Sequence, residues 1–394
     1  MKKNVIIISC VGLCYENSAA VARMSNYAKA LASCEGVNVY LLSQKYYTPD
    51  AMIINLHNDT ENIFTTEKRS HVNGRNALSI LKFIKSVNRF RKRLEGDSVY
   101  LFYPTSNPLC ELIFLLYNSI FTNVKLYCEV NEIRKYDSRL RRLSTAKRLI
   151  YNLMYSLYEV LLHFYDGVVC ISRNIEKYAN RYNKNSIVVP ILSDVIKITN
   201  KPRISNEREV VKYVFTGSIS IEKENLVELL KGFALLNECH KNWVLYLYGN
   251  ITGIDRKIIN QLTSEYQLDS NVHICKAIPH DEVPNVLKDA DCLILPRCNN
   301  KQNFYGFSTK LSEYAVSGTP IIMTNTGVVA DYFKDGYDCL MVSGYSAHDF
   351  YEKFVQFESL TVEQKCLIGE NARLTAAKYF DWRKYANALN SFLK

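Results

Sequence analysis

The chain has 394 residues, 48% hydrophobic and 22% charged, too long for one core and suited to two domains of about 150–200 residues each. No repeat, low-complexity tract or long charge run interrupts it, so most of it is expected to fold. A net charge of +10 points to anionic partners, and with no nucleic-acid motif present it favours nucleotide phosphates or acidic lipid headgroups over nucleic acid.

Val5 to Ser9 reads as a first buried strand, followed by a loop containing Gly12 and a helix from Ser18 to Ser33. Ala20, Met24, Tyr27 and Leu31 share one face of that helix, and Val37 to Leu42 is the second strand. This opening is Rossmann-like but lacks the dinucleotide fingerprint G-x-G-x-x-G. The start, Met1-Lys2-Lys3-Asn4-Val5-Ile6-Ile7-Ile8, makes a poor signal peptide because its apolar run is short and flows into the strand. Residues 45 to 75 show less regularity. Leu78 to Leu94 is a basic amphipathic helix, with Lys82, Lys85, Arg89, Arg91, Lys92 and Arg93 opposite Phe83, Ile84, Val87 and Phe90. Val99 to Tyr103 and Val124 to Cys128 are strands around an apolar helix at Leu109 to Phe121. A second basic run spans Arg134 to Arg148. From Leu149 to Tyr165 the residues Asn152, Ser156, Glu159 and His163 form one polar stripe, so the segment is amphipathic rather than membrane-spanning. Asp166 to Ser172 and Ile187 to Pro190 close the first alternating set, which implies a parallel sheet covered on both faces.

A polar linker over residues 191 to 208 leads into a second alternating set. Its strands are Val210 to Gly217, Trp243 to Tyr248, Val272 to Cys275, Cys292 to Leu295, Pro320 to Met323 and Leu340 to Val342. Phe380-Asp381-Trp382 introduces a last helix. Of the twelve cysteines, Cys170, Cys275 and Cys292 sit inside strand-like runs as small hydrophobes. No C-x-x-C pair or zinc-spaced Cys/His cluster appears, so a reducing cytoplasm is the expected setting. Asp289-Ala290-Asp291 has the form of a D-x-D metal motif but precedes a buried strand, where a capping or turn role is expected instead.

Gly306 to Ile322 reads as loop, helix, turn and strand in seventeen residues. Gly306 frees the backbone, Ser308 or Thr309 caps the helix, and Gly318 stops it. Such a helix N-terminus suits a phosphate, and Glu313, one turn deeper than Thr309, suits the hydroxyls of an attached ribose. The stretch resembles the donor-site motif of retaining, nucleotide-sugar-dependent glycosyltransferases of the GT-B fold, glycosyltransferase family 4 in particular. Glu313 matches the second Glu of that motif, the ribose ligand, whereas Tyr305 stands at the first. Gly306-Phe307-Ser308-Thr309-Lys310 matches a variant form of it.

The resemblance implies two Rossmann-like parallel-sheet domains facing a cleft. The first, 1–195, would bind the acceptor and the second, 196–378, the nucleotide sugar, with a C-terminal helix at 379–394 crossing back to the first. It places Gly12 near the substrates. Tyr305, Gly306, Phe307, Ser308, Thr309 and Glu313 line the donor site, together with Gly217, Ser218 and Lys223. Lys223 matches the Lys that serves the donor pyrophosphate, and Ser218 stands where the family has Arg. A cation there offsets the charge left on a departing nucleoside diphosphate. Arg297, at the end of another strand, is a second candidate for that task. Glu129 and Glu132 follow a first-domain strand and are candidate bases, or partners of nearby arginines, while Arg23 is a candidate for the cleft.

The expected activity is sugar transfer from a nucleoside diphosphate sugar, as substrate, to a glycan or lipid-linked hydroxyl acceptor, without cofactor or catalytic metal. A sugar-nucleotide epimerase and a non-catalytic partner subunit are the alternatives. The two basic helical segments, with Phe83, Phe90, Leu149 and Tyr151 beside them, suggest an anionic membrane surface as a further partner, on the cytoplasmic side.

Overall fold

The computed structural model describes residues 2–9, 19–43, 53–55, 63–66, 77–103, 108–195, 210–279 and 281–394. They form two compact units, Met1–Leu192 with Asp381–Lys394, and Ser193–Phe380.

The first unit runs β1 (Lys3–Ser9), α1 (Ala19–Ala32), β2 (Val37–Ser43), β3 (Ile53–Asn55), β4 (Ile63–Thr66), α2 (Ala77–Arg91), β5 (Asp97–Phe102) and α3 (Pro108–Phe121). It continues with β6 (Leu126–Val130), α4 (Thr145–Leu161), β7 (Gly167–Cys170), α5 (Arg173–Ala179) and β8 (Ser186–Val188). The sheet order is β3-β4-β2-β1-β5-β6-β7-β8, parallel except where β3 meets β4. Apolar runs on β1, β2 and β5 are buried because helices cover both faces of a parallel sheet. Met24, Tyr27 and Leu31 of α1 pack into that core as their spacing requires. So do Leu389 and Leu393 at the chain's end, where Lys3 Nζ donates to the Asn390 carbonyl at 2.6 Å.

Two helices bear on the expected membrane contact. In α2, Phe83, Ile84 and Val87 are buried and Phe90 packs edge-on against Tyr40, so these aromatics serve the core and not a headgroup layer. In α4 the expected polar stripe is exposed at Asn152, Ser156 and His163, and of its residues only Glu159 turns inward. Glu159 is buried, accepting from Lys135 Nζ at 3.0 Å and Tyr182 Oη at 3.2 Å, while Leu149, Ile150, Leu153, Leu157 and Val160 lie exposed. Two donors hold the carboxylate inward more strongly than amphipathic periodicity turns it outward.

The second unit runs β9 (Val211–Thr216), α6 (Leu226–Cys239), β10 (Trp243–Tyr248), α7 (Gly253–Glu265), β11 (Val272–Cys275), α8 (Val283–Lys288) and β12 (Cys292–Leu295). Then come α9 (Lys301–Tyr305), α10 (Thr309–Ser317), β13 (Ile321–Thr324), β14 (Leu340–Val342), α11 (Ala347–Ser359) and α12 (Val362–Tyr379); α13 (Ala386–Phe392) belongs to the first unit. All six strands are parallel, in the order β11-β10-β9-β12-β13-β14. That order reverses between β9 and β12, and the crevice outside the C-terminal ends of two such strands is where open α/β sheets take ligands. Phe233 stacks on Phe354 with centroids 4.1 Å apart and on Trp243 at 4.5 Å, anchoring α6 and α11 to the sheet. The described cysteines are all free, Cys170 and Cys292 fully buried.

Candidate donor site in the second unit

The loops leaving β9 and β12 meet at the point where the strand order reverses. Glu224 and Arg297 form an antiparallel bridge, Cys298 N donates to the Lys223 carbonyl at 3.2 Å, and Asn225 N donates to the Pro296 carbonyl. Asn303 of α9 locks the junction, its Nδ2 donating to the carbonyls of Lys223 (2.8 Å) and Cys298 (2.9 Å). The backbone of Lys223 is therefore fixed from two sides.

At the centre lies Glu224, 1% exposed. Its Oε1 accepts from Lys310 Nζ at 2.9 Å and sits 3.3 Å from an Arg297 Nη. Burial alone would raise this carboxyl, but the Arg297 and Lys310 charges outweigh it and hold the group below the usual carboxylate range. Its second oxygen, Oε2, has no hydrogen-bond partner. Burial pulls Lys310 down to about 8; Arg297 and Lys223 push the same way and Glu224 opposes them. Glu224 thus pairs with Arg297 and Lys310 at contact distance, and the Lys223 charge acts on it in the same direction.

Lys310 occupies the first turn of α10. Its ammonium lies 4.0 Å from the centroid of the Phe215 ring, and its stem crosses the backbone at Gly217. Gly217 has φ +118°, and a Cβ there would overlap Lys310 Cε, so this position needs glycine on both counts. Tyr314, deeper in α10, donates no bond outward; its Oη accepts from Thr216 N at 2.8 Å and ties the helix to the end of β9. Gly318, at φ +74°, ends α10 in the left-handed conformation expected of it.

Several sequence expectations change at this point. Ser308 is at the N-cap of α10 but makes no capping bond. Its Oγ accepts from Arg297 Nη at 2.6 Å instead, because the guanidinium reaches it first. The first-turn amides of α10 are thus not taken up by that side chain. Gly306 sits at φ −72°, a conformation L residues adopt, so what favours glycine there is space: an added Cβ would lie 3.0 Å from the Gln302 carbonyl oxygen. Phe307 is buried, its ring stacked on Tyr332 at 5.2 Å and edge-on to Phe380 at 5.8 Å, so that side chain packs the interior behind the loop.

Ser218 is exposed just beyond Gly217, and Lys223 is half-buried. Thr309 opens α10, and Glu313 lies half-buried one turn along. Tyr305 ends α9, half-buried, its ring edge-on to Phe304 at 5.1 Å. Sequence reasoning missed Glu224 and gave Lys310 no role beyond its place in the motif. Lys310 was visible there; nothing in Glu222-Lys223-Glu224 distinguished the buried acid from its exposed-looking neighbour.

The D-x-D pair is structural. Asp289 Oδ2 accepts from Lys212 Nζ at 2.6 Å and Asp291 Oδ2 from Lys212 N at 2.8 Å, fixing the start of β9. Among the described residues no group of three or more His, Cys, Asp or Glu is arranged to hold a metal ion.

In the first unit, Arg23 and Glu129 are buried together. Arg23 Nε donates to Glu129, and its other nitrogens donate to Tyr27 Oη (2.6 Å) and the carbonyls of Pro190 (2.6 Å) and Val189 (2.8 Å). Four acceptors converge on one guanidinium, so Glu129 serves the interior of the unit instead of solvent, and Arg23 is turned away from any open face. Glu132 is half-buried in the loop after β6. Gly12 lies outside the described residues.

Residues 197–375, spanning this cluster, match the family Glycosyl transferases group 1. An uncharacterised glycosyltransferase of Methanocaldococcus jannaschii is 22% identical over 221 residues, 56% of this chain and 56% of that relative, so the chain aligns with only about half the relative's length. Among solved structures, a sucrose-phosphate synthase from Thermosynechococcus elongatus superposes at TM-score 0.75 with 16% identity, covering 99% of this chain and 98% of that one. The Anabaena protein HepE in complex with UDP and glucose gives 0.67 with 14% identity, covering 99% and 98%. These likenesses show the fold alone, a GT-B one with two Rossmann-like parallel-sheet domains, over the whole chain.

Proposed function

We propose that the chain is a retaining glycosyltransferase of family 4. It moves a sugar from a nucleoside diphosphate sugar to the hydroxyl of a lipid-linked glycan, in assembly of a bacterial surface polysaccharide. In this reading the second unit binds the donor and the first unit the acceptor. The observation that carries it is the cation-rich cluster of Lys223, Arg297 and Lys310 around one buried carboxylate, at the C-terminal ends of β9 and β12. Two of the structural neighbours hold UDP, with glucose or as a fluorinated UDP-glucose, which supports a nucleotide-sugar donor and makes uridine the first base to try.

The chemistry follows from charge. As the bond between the anomeric carbon and the diphosphate breaks, the electron pair goes to the phosphate oxygen. Three side-chain cations and the first-turn amides of α10 are the groups available to stabilise it, and they need no metal to do so. Glu313 is assigned to the ribose hydroxyls and Tyr305 to the vicinity of the donor sugar. With Glu129 committed to Arg23, Glu132 is the base candidate that stays in the account.

A non-catalytic subunit is the second reading, favoured by Ser218 and Tyr305 where the resembled motif has Arg and Glu. Thermal stabilisation by a panel of nucleotide sugars, followed by turnover of the best binder, tests both. Stabilisation with turnover supports the proposal; binding without turnover on any acceptor favours the second reading. No response to any nucleotide removes both.

A further inference from the structure

The net positive charge of this chain lies in one unit: the first holds 29 Lys and Arg against 16 Asp and Glu, the second 20 against 23. Within the first unit, α4 departs from ordinary surface helices. Leu149, Leu153, Leu157 and Val160, with Ile150 beside them, fall within about 100° of arc on a 3.6-residue helix and are 41–65% exposed. Phe164, just beyond the helix, is 67% exposed. Residues 144–153 are exposed on every side, so the first turns of α4 project from the unit. Neighbouring α3, which packs on α4, leaves Leu109 (45%), Leu116 (54%) and Ile120 (70%) in solvent at helical spacing, with Phe121 next to them. Arg141, Arg142, Lys147 and Arg148 are exposed immediately before and within the first turn of α4. None of the described helices is long and apolar enough to cross a membrane.

We propose that the outward face of α3 and α4 docks on an anionic lipid surface, with the Leu149–Leu153–Leu157 stripe entering the acyl boundary and the four basic residues at the headgroups. The inference deepens the proposed lipid-linked acceptor and is tested independently of it. Large apolar side chains in water on adjoining helices mark an interaction surface, and the cationic rim selects an anionic partner. The basic face of α2, by contrast, exposes Leu78 alone of its large apolar residues, because Phe83, Ile84 and Val87 are committed to the core. The α3–α4 face therefore replaces α2 as the contact.

Co-sedimentation of the full chain with vesicles of phosphatidylcholine, with and without phosphatidylglycerol, tests this. The wild type is expected to bind the anionic vesicles and to weaken with salt. The triple variant Leu149→Ser, Leu153→Ser, Leu157→Ser is expected to partition about 10²-fold more weakly, since three large apolar groups no longer leave water. Its melting temperature should not fall, and its nucleotide binding should match the wild type. Leu153→Trp should shift to the blue on anionic vesicles and be quenched by brominated acyl chains. Absence of binding, equal binding to neutral vesicles, or undiminished binding by the triple variant overturns the proposal. Self-association in solution that the triple variant abolishes overturns it in favour of a protein partner. Loss of vesicle binding with donor turnover on a soluble acceptor intact separates this inference from the proposed activity.

Discussion

Glu224→Gln isolates the charge at the centre of the donor cluster while keeping its shape. Lys310 and Arg297 lie 2.9 Å and 3.3 Å from Oε1, which corresponds to about 5–6 kcal/mol of attraction each at an effective dielectric of 20. Most of that offsets desolvation of the three groups, yet removing one partner leaves buried charge uncompensated, at about 3–5 kcal/mol. For a unit of this size each kcal/mol moves the melting temperature by about 2–4 °C, so the variant should melt roughly 6–20 °C lower. A nucleoside diphosphate supplies the missing negative charge. UDP should therefore stabilise Glu224→Gln by a larger increment than it stabilises the wild type. Calorimetry with and without saturating UDP reads both quantities. An unchanged melting temperature, or identical UDP increments, would refute the assignment of Glu224 as counter-ion of an anion site.

Three further outcomes follow from the same geometry. Lys223→Ala should lower kcat about 10²-fold or more through lost leaving-group stabilisation, whereas Glu313→Ala should act chiefly on donor KM; steady-state kinetics with unchanged donor parameters in both would sink the site. Lys310 is held down to about 8, so its charge is present below that pH and lost above it; UDP affinity should fall roughly tenfold between pH 7 and 9, and Lys310→Met should flatten the dependence in a calorimetric titration. Gly217→Ala must move Lys310 and accept φ +118°, so both stability and UDP binding should drop, by about 1–3 kcal/mol in stability; an unperturbed variant would show that the Lys310 stem is not fixed by that contact.

The architecture was legible because each strand of a parallel sheet is a short apolar run, and the alternation of such runs with helices leaves few topologies. Trp243 to Tyr248 and Cys292 to Leu295 have the same bounds in sequence and structure. The short strands β3 and β4 fell in the stretch that lacked periodicity, since three or four residues are too few to show it. Long-range ion pairs were not legible. Glu224 and Lys310 are 86 residues apart, Arg23 and Glu129 106, and local pattern carries no information on which charges meet across a sheet. The same limit explains Glu159, which its own sequence groups with Asn152, Ser156 and His163 but which Lys135 and Tyr182 hold inward.

A crystal structure of the protein soaked with UDP tests the central claim most directly. The diphosphate is expected beside the first turn of α10, within hydrogen-bond reach of Arg297 and of Lys223 or Lys310, with Glu313 on the ribose. A diphosphate bound away from β9 and β12, or one touching none of those three cations, would contradict it.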